Sequence, residues 1–318
     1  MRKIINHLPR AVLSLLVTFG LTHSAAAQSA ALDRIVFHSL PVTGGTPKHP
    51  TYTPAIIYSM NPDGSDLRQL TSASVDSRSP AWSADHNYIL FSRGGVLYVM
   101  EATGELNGAR IFPVNVPAAL RAAWSPDGKK ICFTAPIDNT TPGYGLWVVD
   151  VDPPTGQVGT PILIRGPHCL HPHWSPDGTK TAFALDSGGG QSTLVVTVRD
   201  LLTGTEYPIG SPVGDAPSWS PDGNLIALNQ VLTVVTKKGN KTTTNTYSEI
   251  FVANADGSGK TQVTNLKGGS VAPSWSLDGT ELVFQSNISG AYSIYKVSLV
   301  TGAVTLLRSG AGGANWAR

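Results

Sequence analysis

The chain has 318 residues, of which 41% are hydrophobic and 14% charged, and its 33 glycines and 23 prolines make it globular and turn-rich in composition. Its formal net charge is +2, but residues 1–27 hold three basic and no acidic side chains, which leaves 20 Lys and Arg against 21 Asp and Glu, or −1. A near-neutral surface exerts no long-range attraction on nucleic acid or anionic lipid, so we expect neither as a partner.

Residues 1–27 have the pattern of a secretory signal peptide. A basic stretch ending at Arg10 precedes an apolar run at positions 11–21, and alanines occupy positions 25–27. The apolar run is about half as long as a membrane-spanning helix requires. We therefore predict cleavage near Ala27, export to the periplasm or beyond the cell, and a mature domain of residues 28–318 that is not inserted in the membrane.

One sequence unit then recurs along the chain. Each of five copies combines Trp-Ser, a turn of the Pro-Asp-Gly type and an alternating apolar stretch, as in AWSPDGKKICFT from Ala123. The tryptophans of these units and a sixth are spaced by 42, 50, 45, 56 and 41 residues: Trp82, Trp124, Trp174, Trp219, Trp275 and Trp316. Periods of about 40–50 residues with four short strands each are typical of β-propeller blades. The mature chain therefore divides into six blades.

The turn chemistry defines the strands of each unit. In Ser-Pro-Asp-Gly, Pro sets the first central residue of a type I turn and Gly supplies a left-handed residue, so the turn joins two antiparallel strands. Ala84 and Leu277 replace the proline and His86 replaces the glycine, which should make the first such turn costlier. Patterns for the second, third and fourth strands occur, for example, at residues 130–134, 146–149 and 67–71.

The two ends of the mature chain complement each other. Residues 34–38 have the pattern of a second strand without a preceding tryptophan unit, whereas residues 314–316 have that of a first strand with nothing after it. Pairing the two ends removes two open sheet edges. We predict an all-β, six-bladed β-propeller of four-stranded antiparallel blades, closed by pairing of the C-terminal strand with the N-terminal blade.

These WSPDG-type repeats, with DGS turns at Asp63 and Asp256, resemble the PD40 repeats of the TolB-like, WD40-like propeller family over nearly all of the mature chain. The resemblance implies the fold but little about function, because such repeats occur in proteins with very different roles. TolB itself carries an α/β domain before its propeller. Here the first strand pattern begins within about ten residues of Ala27, so we expect that domain to be absent.

Four connections between second and third strands are long, at residues 40–54, 137–145, 186–192 and 230–248. They share one face of a propeller, and long loops on a rigid scaffold are where binding sites tend to be built. In the longest, residues 231–236 and 242–247 could pair as a protruding hairpin with a basic tip that includes Lys237 and Lys238. For such a polar segment a solvated flexible loop is the commoner outcome, and it is the one we expect.

Three histidines, His168, His171 and His173, precede Trp174 at short spacing. Imidazoles can bind zinc or copper, and alternate residues of a strand, such as His171 and His173, lie about 6.5 Å apart on one face. No HExxH motif or nearby acidic residue completes a site, so we favour solvated or hydrogen-bonded histidines at the channel mouth, without a metal or other cofactor.

The positions equivalent to His171 are also polar in other units. They hold Arg121 in the preceding unit and, one residue away, Arg78 and Asp215. Together these side chains predict a polar channel entrance that is suited to a peptide carboxylate or a sugar. Polar residues at a solvent-filled opening are also compatible with hydration alone, without a ligand.

Other chemical signatures are weak. Residues 257–261 resemble the end of a phosphate-binding loop, but they form a hairpin turn with no helix after it. Cys132 and Cys169 lie in strand patterns of consecutive units, where export permits a disulfide but buried free thiols are the commoner outcome.

Two main hypotheses remain for function. The first is an exported, non-catalytic and monomeric binding protein that recognises a protein or peptide partner of the cell envelope at the channel mouth and long-loop face. The alternative is a carbohydrate-active or metal-dependent hydrolase or lyase that uses His168, His171 and His173. A purely structural role in the envelope is a third possibility, and we favour the first hypothesis because catalytic motifs are lacking.

Overall fold

The computed structural model describes residues 33–39, 42–46, 49–114, 116, 121–186, 194–210, 214–238 and 241–317. The predicted signal peptide lies outside these residues. No helix within the described ranges is long and apolar enough to cross a membrane.

The strands of the first half are β1 (Ile35–Ser39), β2 (Val42–Thr46), β3 (His49–Tyr52), β4 (Ile56–Met60), β5 (Arg68–Gln69), β6 (Ser77–Trp82), β7 (Tyr88–Arg93), β8 (Val96–Glu101), β9 (Ile111–Pro113), β10 (Ala122–Trp124), β11 (Lys130–Pro136), β12 (Tyr144–Asp152), β13 (Gln157–Val158) and β14 (Ile162–Arg165). A short 3₁₀ helix spans Glu105–Asn107. The strands of the second half are β15 (Cys169–Trp174), β16 (Lys180–Asp186), β17 (Leu194–Asp200), β18 (Glu206–Pro208), β19 (Gly214–Trp219), β20 (Leu225–Lys238), β21 (Lys241–Asn254), β22 (Thr261–Gln262), β23 (Val271–Trp275), β24 (Glu281–Ser286), β25 (Ser293–Ser298), β26 (Val304–Ser309) and β27 (Ala311–Trp316).

These strands form six antiparallel blades, which confirms the predicted propeller. From the channel outward the blades are β27-β1-β4-β5, β6-β7-β8-β9, β10-β11-β12 with both β13 and β14 on β12, β15-β16-β17-β18, β19-β20-β21-β22 and β23-β24-β25-β26. The strands β2 and β3 form a separate hairpin within the long connection at residues 40–54, which the sequence did not indicate.

The ring closes through the two chain ends, as predicted. β27 pairs antiparallel with β1, and Ile35 lies opposite Trp316. The indole N–H of Trp316 donates to Asp33 at 2.5 Å, and its backbone N–H donates to Ser274 Oγ of the sixth blade at 3.0 Å. The first blade is therefore built from both ends of the described chain. The Ser274 side chain links it to the sixth blade.

The hydrophobic core is divided among the interfaces between blades. Six buried clusters occur in the described residues, and each joins the facing sides of two neighbouring sheets. On β1, for example, Val36 packs toward the second blade and Phe37 toward the sixth. Alternate side chains of the second strand face opposite neighbours because successive residues of a strand point to opposite faces. Each blade therefore depends on both neighbours for its burial.

Five Ser-Asp turns connect first and second strands on the face opposite the long loops. In the turn after Trp124, Ser125 Oγ donates to Asp127 at 2.6 Å, and the Gly128 N–H donates to the Ser125 carbonyl at 3.0 Å. Gly128 has φ of 68°, and His86, which replaces glycine in the second blade, adopts φ of 59°. The expected left-handed turn residue is thus present at His86, where a side chain makes that conformation costlier.

Both cysteines are buried as free thiols. They lie in the cluster between the third and fourth blades. Burial raises the pKa of Cys169 to about 11 and raises that of Cys132 further.

Replacing Trp316 by alanine removes a side chain that is 1% exposed from the seam between β27 and β1. We expect the free energy of unfolding to fall by about 3–5 kcal/mol, the usual cost of deleting a buried tryptophan side chain. Urea denaturation followed by circular dichroism measures the change. Leu202→Ala, at a turn residue that is 94% exposed, is the control. If both variants lost the same small amount, the closing role of Trp316 would be refuted.

Candidate binding site at the channel mouth

The first strands surround a narrow central channel. A cavity of about 120 Å³ is lined by the residues just before each tryptophan, from all six blades. We call the third residue before each tryptophan the channel ring, which consists of Ser79, Arg121, His171, Ala216, Ala272 and Gly313. The turn-side mouth is apolar, because four of the tryptophans, with alanines and prolines, line a cavity of about 350 Å³ there.

The other end of the channel opens among the long loops. We call this cavity, of about 350 Å³, the loop-side mouth. Its polar side chains come from the third to the sixth blades: Arg121, His171, Asp215, Asn229, Ser248, Gln285 and Tyr292. The structure thus brings three of the predicted site residues, Arg121, His171 and Asp215, into one cavity.

A bulge in the first strands shapes this end of the channel. The register shifts, for example, between Arg78 and Ala81 of β6 and between Asp215 and Ser218 of β19. Five members of the channel ring have φ between 47° and 60°, and four of the five are not glycine: Ser79, His171, Ala216, Ala272 and Gly313. Such backbone is uncommon outside glycine, and bulges that re-aim side chains are frequent at sites of function.

The bulged residues bond sideways to the preceding blade. The N–H of Ser79 donates to His38 Nδ1 at 3.4 Å, that of Ala272 to Asn229 Oδ1 at 3.4 Å, and that of Gly313 to Gln285 Oε1 at 2.8 Å. The three acceptors occupy equivalent positions on second strands. At Gly313 a Cβ atom would also collide with the His38 ring, so glycine is needed there for space as well as conformation.

His171 and Asp215 form a direct pair across neighbouring blades. The His171 Nδ1 atom lies 2.5 Å from Asp215 Oδ1, which also accepts the Ala216 N–H at 2.6 Å. Burial by itself would raise the pKa of Asp215, but the His171 hydrogen bond and charge, the Ala216 N–H and the charge of Arg121 together lower it. Asp215 is therefore an ionised carboxylate whose Oδ1 atom is already engaged.

Arg121 extends into the loop-side mouth from the third blade. Burial lowers the pKa of its guanidinium, and the charge of Asp215 opposes that shift. The same guanidinium helps to lower the pKa of His38. Asp215 belongs to the fifth blade and His38 to the first, and each blade is two positions from the third blade, which carries Arg121. The charge of Arg121 therefore acts on titratable groups on both sides of the channel. Among the described residues, no acceptor is hydrogen-bonded to this guanidinium and no carboxylate forms an ion pair with it.

Arg78 does not line this cavity and is already paired. Its Nε atom is 2.7 Å from Asp76 Oδ2, with both side chains more than two-fifths exposed. The other Asp76 oxygen accepts the Ala55 N–H at 2.7 Å. Arg78 is thus a solvated arginine whose charge is balanced by Asp76.

The three histidines do not converge. His171 Nδ1 contacts Asp215, whereas His173 Nδ1 accepts the backbone N–H of Trp219 at 3.2 Å and so ties the fourth blade to the fifth. His168 precedes β15 and lies against Gly143 of the connection at residues 137–145. No group of three or more His, Cys, Asp or Glu side chains in the described part of the chain is placed to hold a metal ion.

The longest connection is a hairpin, not the flexible loop that we expected. β20 and β21 pair without interruption from Leu225 opposite Asn254 to Lys238 opposite Lys241, so the turn is shorter than the predicted residues 237–241. Lys237 is exposed near the tip, and only the backbone of Lys238 is described. The two lysines therefore lie far along the hairpin from the channel, outside the loop-side mouth.

Sequence reasoning missed three polar residues of this region, Asn229, Gln285 and Tyr292, and it considered His38 only as a histidine that might approach the His168–His173 cluster. Asn229 and Gln285 had a signal, because each, like His38, follows the large apolar residue of a second strand, as in Phe37-His38 and Phe284-Gln285. Polar residues at that position are unexpected in a buried strand. Tyr292 had no signal, since a loop tyrosine is ordinary.

A ring closed by its own ends, with tryptophan-marked first strands around a narrow channel, defines a WD40-like β-propeller. This chain belongs to the TolB beta propeller domain family (PD40), whose model matches residues 135–316.

Solved structures share the fold. TolB from Acinetobacter baumannii superposes with a TM-score of 0.67 at 18% identity, over 94% of this chain and 71% of that one. A chain of the nidogen/laminin complex superposes with a TM-score of 0.63 at 7% identity, over 90% and 98% of the two chains. At these identities the likeness concerns the fold alone.

A curated relative is similar in sequence. Dipeptidyl-peptidase 5 of Porphyromonas gingivalis is 27% identical over 262 residues, which cover 78% of this chain and 36% of the relative. This chain thus spans about a third of the length of that protein.

Through His38 the free energy of unfolding should depend on pH. Burial, followed by the charges of Arg121 and Arg78, lowers its pKa from 6.5 to about 4. Between those values the unfolded chain binds a proton that the folded chain does not, so the stabilisation is complete above pH 6.5 and is lost as the pH falls toward 4. The loss attributable to His38 should reach about 3 kcal/mol at most.

His38→Asn should remove this component, because Asn229 accepts the equivalent N–H in the fifth blade. The free energies of unfolding of the two proteins, measured by urea denaturation from pH 7 to 4, should converge as the pH falls. Parallel curves over this range would contradict the buried neutral state of His38.

Proposed function

We propose that this protein is an exported, non-catalytic binding protein that receives a segment of a protein partner of the cell envelope at its loop-side mouth. The observation that carries the proposal is that the mouth and the long hairpin share one rim. Val231 and Ser248 line the cavity, and they are opposite each other where the hairpin leaves the blade. A partner seated in the mouth would therefore also meet the hairpin.

The loop-side mouth has the dimensions and chemistry of a recognition pocket. Its volume of about 350 Å³ lies within the usual range of ligand pockets, roughly 300–1,000 Å³. It combines the half-buried Arg121, an engaged His-Asp pair and the exposed Tyr292 with apolar walls at Leu194 and Val271. A few convergent polar groups in an apolar frame fix the orientation of a bound side chain or chain end.

The hairpin offers a second contact surface. β19 pairs with β20 only as far as Gln230, and β22 pairs with β21 at Phe251 and Val252. On the outer side of β21, Ser248 still forms a bridge to Gly269. Beyond it the hairpin continues over residues 231–238 and 241–247, about eight residues per strand and roughly 25 Å, with outer edges that pair with no other described strand. Unpaired strand edges are templates for an added strand from another chain. The exposed side chains Val234 and Val235 supply apolar area beside that edge.

Location in the envelope rests on the signal-peptide pattern of residues 1–27, and the family relationship to the TolB propeller agrees with it. The similarity to Dipeptidyl-peptidase 5 concerns a third of that protein, so its peptidase activity is not carried over. The enzyme alternative requires His168, His171 and His173 to act together. Since His171 and His173 each bond a different protein group through Nδ1, the arrangement favours binding over that alternative.

A photocrosslinking amino acid placed at Val235, tested in cells that export the protein, should capture an envelope protein. The matched control is the same amino acid at Leu202, an exposed residue on a turn of the opposite face. Conjugates detected by mobility shift and mass spectrometry should occur at Val235 and not at Leu202. Replacing residues 232–247 by a two-residue Asn-Gly turn should prevent capture through a crosslinker placed instead at Tyr292. Equal labelling at Val235 and Leu202, or none at Val235, would overturn the proposal.

A further inference from the structure

Arg121 brings a positive charge into the loop-side mouth, and the described residues do not neutralise it by contact. From its position we infer that the loop-side mouth binds a singly charged carboxylate group of the partner on the guanidinium of Arg121. This inference rests on the proposed binding function and names the chemical group that the site recognises.

The channel ring leaves space in front of Arg121. Four of its six members are small: Ser79, Ala216, Ala272 and Gly313. The remaining member, His171, is held toward Asp215 by its 2.5 Å contact. The long side chain of Arg121 therefore borders open cavity space near the channel axis, because no large side chain of the channel ring lies opposite it.

The carboxylates nearby are committed to other groups. Asp215 Oδ1 engages His171 and the Ala216 N–H. Asp76 engages Arg78 and the Ala55 N–H. The side-chain oxygens of Asn229 and Gln285 accept backbone N–H groups of the sixth and first blades. The described groups around Arg121 thus leave its donors available to a ligand.

A guanidinium in this setting favours an anion. It stays charged at all physiological pH values, so it cannot escape the cost of burial by losing a proton. Its planar fork of N–H donors matches the two oxygens of a carboxylate, and such bidentate pairs are among the strongest hydrogen bonds in proteins. A carboxylate arriving in the cavity would therefore gain the whole interaction without breaking an existing one.

The ionised Asp215 selects among anions. Its charge acts on Arg121, and it would equally repel a ligand placed on the guanidinium. A dianionic phosphate would double both its repulsion by Asp215 and its attraction to Arg121, whereas the cost of removing it from water rises more steeply with charge than that of a monoanionic carboxylate. The site therefore suits a chain-terminal carboxylate or the side chain of an aspartate or glutamate.

Small probes separate these sources. The purified full-length protein is titrated at pH 7 with N-acetyl-alanine, N-acetyl-aspartic acid α-amide (whose only carboxylate is on the side chain), N-acetyl-alanine amide and inorganic phosphate. Binding is followed by NMR or calorimetry. We expect at least one carboxylate probe to bind and the neutral amide not to bind, and the better carboxylate identifies a chain end or a side chain. Equal behaviour of acid and amide, or tighter binding of phosphate, overturns the inference.

Variants locate the site. Arg121→Gln should weaken carboxylate binding by at least about tenfold, the scale of a lost charge-assisted pair. Arg121→Lys should retain part of it. Arg78→Gln, which removes a cation already paired with Asp76, is the matched control and should stay within about twofold of wild type. Unchanged binding in Arg121→Gln would contradict the assignment.

Folding and partner capture are measured on the same variants. Arg121→Gln removes a half-buried charge that has no ion-pair partner among the described residues, so its melting temperature should equal or exceed that of wild type. If Val235 crosslinks a partner while carboxylates fail to bind, the binding function stands and the carboxylate assignment falls. If carboxylates bind at Arg121 but Val235 captures nothing, the anion site stands and the proposed protein partner falls.

Discussion

The pairing of β27 with β1 is the contact on which the molecule depends. Each buried cluster of the described chain contains residues from two neighbouring sheets, so no blade has a hydrophobic core of its own. With the ends apart, the first blade would lose its inner strand, and two of the six interfaces would lose part of their burial. Closure therefore converts a row of sheets, each insufficient alone, into a structure in which all of them are covered.

Polar side chains reinforce this ring at the channel. His173, Ser274 and Asn315 lie one residue before a tryptophan, and each accepts the backbone N–H of the next blade's tryptophan at 2.9–3.2 Å. A second set, His38, Asn229 and Gln285, accepts N–H groups from the bulged first strands. Buried polar groups are tolerated here because each is satisfied by a neighbouring blade, and their bonds fix the angular position of one sheet against the next.

The sequence allowed the fold to be predicted well because its main determinants are local. Tryptophan spacing, the Ser-Pro-Asp-Gly turns and the unmatched strands at both ends were sufficient for blade number and closure. The site could be predicted only in part. Arg121, His171 and Asp215 were found because equivalent positions of a repeat share a location, whereas the contribution of His38 depends on the bulge that turns the Ser79 N–H toward it. The sequence analysis grouped Lys237 and Lys238 of the hairpin with the channel residues, but they lie outside the loop-side mouth. The length of a loop does not reveal the direction in which it projects.

The bulged first strands have one more consequence. At three positions of the channel ring the bond to the neighbouring blade is made by a main-chain N–H, which any residue except proline possesses. The side chain at those positions takes no part in holding the ring together. At Ser79 and Ala272 the innermost residue could thus vary among those that tolerate a positive φ, whereas Gly313 must remain glycine, and one scaffold could acquire different channel chemistries without a loss of architecture.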